Sequence, residues 1–220
     1  MQLGIVDHLV GVDLSDVRVD EANKAVPASL KSRLKFEVRD LESWNPSSSK
    51  YDLIVLKMAF HHIVRIEYFV DLFDRMLSDE GMIYFDEYIG PKRFQFAQFD
   101  IDFCNSILKT LPLELRKDIN NRTHVVGRPN LQKFVNIDPS EAVRSDEMYP
   151  LLAGKFNPSI VRKYGGNIFG WLFSRIMFRF DDHPDIIKDI LDKELKLLEA
   201  QKIESHYVLA FFEKKKYKYR

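Results

Sequence analysis

Residues 51–90 read YDLIVLKMAFHHIVRIEYFVDLFDRMLSDEGMIYFDEYIG, and this stretch decides the fold class. Its first seven residues, Tyr51 to Lys57, are a short apolar run of the kind buried in a parallel sheet. Ile66, Phe69, Val70, Phe73, Met76 and Leu77 then recur at helical spacing and define one apolar face. Ser78 to Gly81 reads as a turn, after which Met82 to Asp86 is a second apolar run ending in the acids Asp86 and Glu87. Strand, helix, strand in the space of forty residues is the βαβ unit of a parallel sheet.

The same rhythm extends towards the N-terminus. His8 to Leu14 (HLVGVDL) is an apolar run with an acid at its tip, and Ser15-Asp16 offers N-cap chemistry for a helix reaching about Lys24. Leu34 to Arg39 (LKFEVR) alternates and closes on Asp40-Leu41, and Asn45 to Lys50 has loop composition. Four strand candidates alternating with helices predict an α/β, doubly wound, mostly parallel sheet. Downstream, Phe94 to Leu115 is aromatic-rich and mostly helical where another βα unit would be expected. It reads as a helical insertion or lid within about 94–150, and its Phe94, Phe96, Phe99 and Phe103 favour core over a substrate cap. Asp138-Pro-Ser-Glu141 is a helix-start signature before a short helix at 145–153. Phe156 to Tyr164 reads as a strand closed by Gly165-Gly166, Pro184 to about Ile203 as an amphipathic helix, and His206 to Glu213 (HYVLAFFE) as the final strand.

Composition bounds the rest. With 220 residues and no composition shift, one domain over 1–220 is expected. Lys and Arg number 33 and so do Asp and Glu, so no global field favours nucleic acid or an acidic membrane. The basic end of the chain, from Lys214 to Arg220, reads as a solvated tail. Cys104 is the single cysteine, which excludes an internal disulfide framework and a cysteine-based zinc cluster and fits a reducing, cytoplasmic setting. The most apolar stretch, Ile168 to Phe180, carries Arg175 and Arg179 and is too short to span a bilayer.

Open parallel sheets bind ligands at the carboxyl ends of their strands, so Asp13, Asp40, Lys57 and Glu87 are candidates for one rim. In order and spacing, GVDLS (11–15), VRDLESW (38–44), YDLIVLKMAFHHI (51–63), LSDEGMIYFDEYIGP (77–91) and HYVLAFFEK (206–214) resemble the class I S-adenosylmethionine-dependent methyltransferases. The resemblance covers nearly the whole chain and implies a Rossmann-like sheet with an antiparallel C-terminal strand. It also implies that Asp13 with Leu14 holds the cofactor ribose, that Asp40 and the Leu41 amide meet the adenine, and that the Lys57-Met58 backbone underlies the methionine part. His62, Glu87, Tyr88 and Arg93 stand where acceptor-side groups of the family lie. Each has a plainer alternative: strand-end or surface acid, solvated lysine, helix-entry histidine, loop anchor. The adjacent His61-His62 pair lacks a third ligand at a typical spacing, so no metal is expected.

One part of the family pattern is missing. No strand with a Gly-rich turn precedes HLVGVDL, and Gly4, Gly11 and Gly165-Gly166 do not make that motif. The missing strand belongs at the sheet centre, between the strands at 8–14 and 51–57. The favoured expectation is a truncated sequence; a slot filled by another segment or subunit, or closed up, are the alternatives, and an unfilled slot leaves a homo-oligomer open. The expected function is methyl transfer from S-adenosylmethionine to a small molecule, with a catalytically inactive binding or scaffold protein as the alternative.

Overall fold

The computed structural model describes residues 6–44 and 50–216. Residues 45–49, read above as loop composition, the basic end at 217–220 and Gly4 lie outside them. The chain divides into two compact units, Met1–Ser47 and Ser48–Arg220.

In the first unit, strand β1 (Leu9–Asp13) is followed by helix α1 (Asp16–Ala25) and strand β2 (Leu34–Val38), and β1 and β2 pair in parallel with Leu9 opposite Leu34 and Asp13 opposite Val38. The Ser15 hydroxyl caps α1 by accepting the Arg18 N–H, as expected from its position. Gly11 is required by packing: a Cβ there would lie 2.4 Å from Cδ1 of Phe36 on the facing strand. Asn23 ties α1 to β2 by donating to Phe36 O and accepting the Phe36 N–H, both at 2.9 Å.

The second unit holds a four-stranded sheet in the order β3-β4-β6-β5, formed by β3 (Tyr51–Lys57), β4 (Leu77–Tyr88), β5 (Phe156–Gly165) and β6 (Tyr207–Lys214). β3 and β4 are parallel, while β6 is antiparallel to both of its neighbours. Three strands therefore run one way and the C-terminal strand runs against them. The helices are α2 (Ile66–Met76), α3 (Gln98–Thr110), α4 (Leu131–Ile137), α5 (Ser145–Lys155), α6 (Phe169–Phe173) and α7 (Pro184–Glu199). The apolar face of α2 is buried as its periodicity requires, with Ile66, Phe69, Val70, Phe73 and Met76 all inside. A second core forms between α3, α6 and α7 from Cys104, Ile107, Leu108, Leu172, Phe180 and Ile190. Phe96 is buried in that core and Phe94 and Phe103 pack against it, whereas Phe99 is half exposed.

The architecture is thus the mixed α/β, Rossmann-like one expected. Among the described residues β1 pairs only with β2, and β3 only with β4. Three local readings need correction. Residues 78–81 are not a turn but part of β4, absorbed as an irregularity that sets Tyr51 opposite Leu77 and then Leu53 opposite Met82. Asp138 does not start α5; its Oδ1 accepts the N–H groups of Ser140 and Glu141 and so turns the loop before that helix. The last long helix, read to about Ile203, stops at Glu199. Helix α4, capped by Asn130, lies within the helical insertion expected over about 94–150 but was not singled out there.

Gly165 and Gly166 have φ of +87° and +89°, a conformation that side chains disfavour, and a Cβ on Gly166 would lie 2.3 Å from the Tyr207 ring. Gly166→Ala should therefore destabilise the protein by about 2 kcal/mol, read as a lowered urea midpoint; an unchanged midpoint would show that this turn relaxes freely. No described helix is long and apolar enough to cross a membrane.

Candidate functional site

In the first unit two acids stand at the carboxyl ends of neighbouring parallel strands. Asp13 ends β1, and its Oδ1 accepts the Ser15 N–H at 2.8 Å, which turns the chain into α1. The Arg39 N–H donates to Asp13 O, so Asp40 follows immediately beyond the last rung of the ladder. Asp40 folds its own loop, with Oδ1 accepting the Glu42 N–H and Oδ2 the Ser43 hydroxyl. Asp13, Leu14, Asp40 and Leu41 are thereby brought to one end of one strand pair. Leu14 is exposed despite its apolar side chain.

The second unit builds a polar cluster at the corresponding ends of β3 and β4. Lys57 is exposed, with Nζ 3.8 Å from Asp86 Oδ2, and Met58 next to it takes a φ of 48°. Phe60, His61 and His62 form a single 3-10 turn. Glu87, near the end of β4, is fully buried, and its carboxylate is completely engaged: Oε1 accepts the N–H groups of Ala59 and Phe60, both at 2.7 Å, and Oε2 lies 2.7 Å from His61 Nδ1. Glu87 therefore fixes both the turn and the ring it carries.

Glu141 comes to the same place from the loop between α4 and α5. Its Oε1 is 3.4 Å from His61 Nε2 and its Oε2 is 3.8 Å from His62 Nε2. His62 Nδ1 is 3.0 Å from Ser140 Oγ, whose own proton goes to Asp138 Oδ1 at 2.7 Å. The Ser140 hydroxyl and the loop amides hold the Asp138 carboxyl below the usual range. Burial disfavours charge on His61, but the Glu87 hydrogen bond and the Glu87, Glu141 and Asp138 carboxylates outweigh it and raise its pKa above that of an ordinary histidine.

Arg93 holds this loop. Its guanidinium donates to the carbonyls of Pro139 (2.7 Å) and Glu141 (2.9 Å), and its backbone N–H donates to Ala142 O. Arg93, Phe94 and Ala142 all have positive φ, as Met58 does, so strained backbone surrounds the cluster on three chain segments. Tyr88 is buried, donates its hydroxyl to Pro91 O at 2.9 Å, and lies edge-on to Phe94, His206 and Tyr207.

Of the acceptor-side residues named from the sequence, Glu87, His62 and Arg93 thus share one neighbourhood, with Glu87 acting on His61 and Arg93 on the loop. Sequence reading took Asp138 to Glu141 as a helix start and not as site residues, because nothing local marks a loop that returns to a distant strand end. It named His62 of the histidine pair, whereas Glu87 bonds His61.

A methyltransferase-domain family matches residues 2–81. No curated protein matches the chain. Among solved structures the fold is similar to an S-adenosylmethionine-dependent methyltransferase from Mesorhizobium loti, with 15% identity, a TM-score of 0.51, and coverage of 94% of this chain and 80% of that one. It is also similar to geranyl diphosphate C-methyltransferase from Streptomyces coelicolor A3(2), solved with Mg2+, geranyl diphosphate and S-adenosyl-L-homocysteine: 11% identity, TM-score 0.55, covering 94% of this chain and 64% of that one. A third is phospholethanolamine N-methyltransferase 2 from Haemonchus contortus, with 12% identity, TM-score 0.54, and coverage of 94% and 43%. The chain thus has the Rossmann-like fold of the class I S-adenosylmethionine-dependent methyltransferases, and residues 2–81 carry the sequence pattern of a methyltransferase domain.

Proposed function

We propose that the protein is an S-adenosylmethionine-dependent methyltransferase acting on a small-molecule acceptor. The observation that carries this reading is the pair of acids, Asp13 and Asp40, at the carboxyl ends of adjacent parallel strands within the stretch that the methyltransferase-domain family matches. The groups present suit the cofactor. An ionised carboxylate is acceptor-only with about four lone-pair positions. Asp13 spends one on Ser15 and keeps others for the two hydroxyls of a ribose. Asp40 and the Leu41 amide supply an acceptor and a donor for the adenine.

When bound, the cofactor supplies an already activated methyl group. The work left to the protein is to bind, orient and exclude water. We assign His62 to the acceptor side. Glu87, Tyr88 and Arg93 are positioning residues: Glu87 acts through His61, Tyr88 through the Pro91 turn and Arg93 through the loop at 138–142. The balanced charge of the chain favours a small molecule over nucleic acid, and the lone cysteine supports a cytoplasmic setting.

The test is formation of S-adenosylhomocysteine by the purified protein in the presence of a small-molecule cell extract. Product that depends on the extract supports the reading. Cofactor binding without product from any extract would instead support a binding or scaffold protein. Within this reading, Asp13→Ala should cost at least about 1.5 kcal/mol of cofactor affinity, the scale of a hydrogen bond to a charged group.

A further inference from the structure

The cluster of His61, His62 and Glu141 has a feature that methyl transfer does not require. Each histidine has its Nδ1 held by an acceptor. For His61 the acceptor is Glu87, a carboxylate that also takes two backbone N–H groups and has no proton to give. For His62 it is Ser140 Oγ, whose hydrogen is already committed to Asp138. Both rings therefore carry a proton on Nδ1 and turn Nε2 towards the same carboxylate, Glu141.

With Nδ1 donating in each ring, both Nε2 atoms face the Glu141 carboxylate, an arrangement that a proton or a shared cation completes. We propose that His61 Nε2, His62 Nε2 and a Glu141 carboxylate oxygen bind a divalent transition-metal ion of the zinc type. One ligand atom from each residue lies within 4.8 Å of the others, and the two histidine-to-glutamate separations are 3.4 and 3.8 Å. Ligands about 2.0–2.1 Å from a tetrahedral ion sit about 3.3 Å apart, so side-chain movement alone closes the site. The Glu87–His61 and Asp138–Ser140–His62 chains are the outer hydrogen bonds that ordinarily orient metal-bound histidines. Two nitrogens and one oxygen suit zinc or iron(II) rather than Mg2+, which takes oxygen ligands. His61 is buried while His62 and Glu141 are partly exposed, so the remaining coordination positions are open to water or to an oxygen of an acceptor.

Adjacent histidines look unpromising as joint ligands, and the sequence offers no third ligand near them. The fold supplies Glu141, and the 3-10 turn brings the two rings to a centroid separation of 4.4 Å with an interplanar angle of 38°.

The test uses untagged, chelator-treated protein titrated with Zn2+ by calorimetry and with Co2+ by visible absorption. We expect one ion per chain, intense Co2+ bands of a four- or five-coordinate site, and no competition from a large excess of Mg2+. His62→Ala and Glu141→Gln, both at partly exposed positions, should fold and each weaken Zn2+ binding at least tenfold. Weakening of less than tenfold in either folded variant, a Co2+ spectrum of the hydrated ion only, or displacement by Mg2+ would overturn the assignment. None of these readouts depends on methyl transfer, so failure of one reading leaves the other standing.

Discussion

Glu87→Ala should remove about 3–5 kcal/mol of stability, the cost of breaking a buried, hydrogen-bonded charged pair from one side. The residue is fully buried, so its loss strands the Ala59 and Phe60 N–H groups and the His61 ring together. Glu87→Gln keeps one acceptor oxygen for the backbone but replaces the other with an amide that cannot accept from His61 Nδ1, and should cost less, about 1–3 kcal/mol. Urea unfolding at neutral pH measures both. Equal and small effects would mean that Glu87 is a passive occupant of the strand end.

The second large effect is expected at Phe60. Its ring is buried against Phe73 and Phe69 of α2, with centroids 5.5 and 6.3 Å away, and it anchors the turn that presents His61 and His62. Phe60→Ala should cost about 3–5 kcal/mol through lost burial and the cavity left behind. Phe60→Leu, which largely refills the space, should cost under about 1.5 kcal/mol. Calorimetric or urea denaturation distinguishes them, and a Leu variant as unstable as the Ala variant would show that ring geometry rather than volume holds the turn.

Glu87 also marks where sequence reading succeeds. Tyr51 to Lys57, α2 and the run ending in Glu87 were legible because short apolar runs and one-sided helices leave strong sequence signals, although β3 itself has no buried residue. Glu87 stood out because a strand-end acid is placed by the sheet itself. Helix α4 left no such signal, since it is short, has no buried residue and depends on the Asn130 cap. Residues 78–81 misled because Ser, Asp, Glu and Gly favour turns locally, whereas the pairs on either side, Leu77 with Tyr51 and Met82 with Leu53, carry them as an irregularity within β4. Tertiary contact overrode local preference there.

Side-chain roles were harder to read than elements. Glu194 sits in a helix rich in i,i+4 ion pairs such as Lys188–Asp192 and looks like another solvated acid. It is instead buried, accepting the N–H groups of Ile168 and Phe169 at the start of α6. Glu141 was read only as part of a helix start for a related reason: its place in the cluster depends on Arg93 holding the loop at 138–142 from across the fold. Asp13 and Asp40 present the opposite case, since the strand pairing of the first unit alone places them at one end.

That pair also offers the most direct test of the account. Isothermal titration of the intact protein with S-adenosylmethionine should show saturable one-to-one binding, weakened at least tenfold in Asp13→Ala, the change about 1.5 kcal/mol implies. Absence of binding, or binding that Asp13→Ala leaves unchanged, would contradict it.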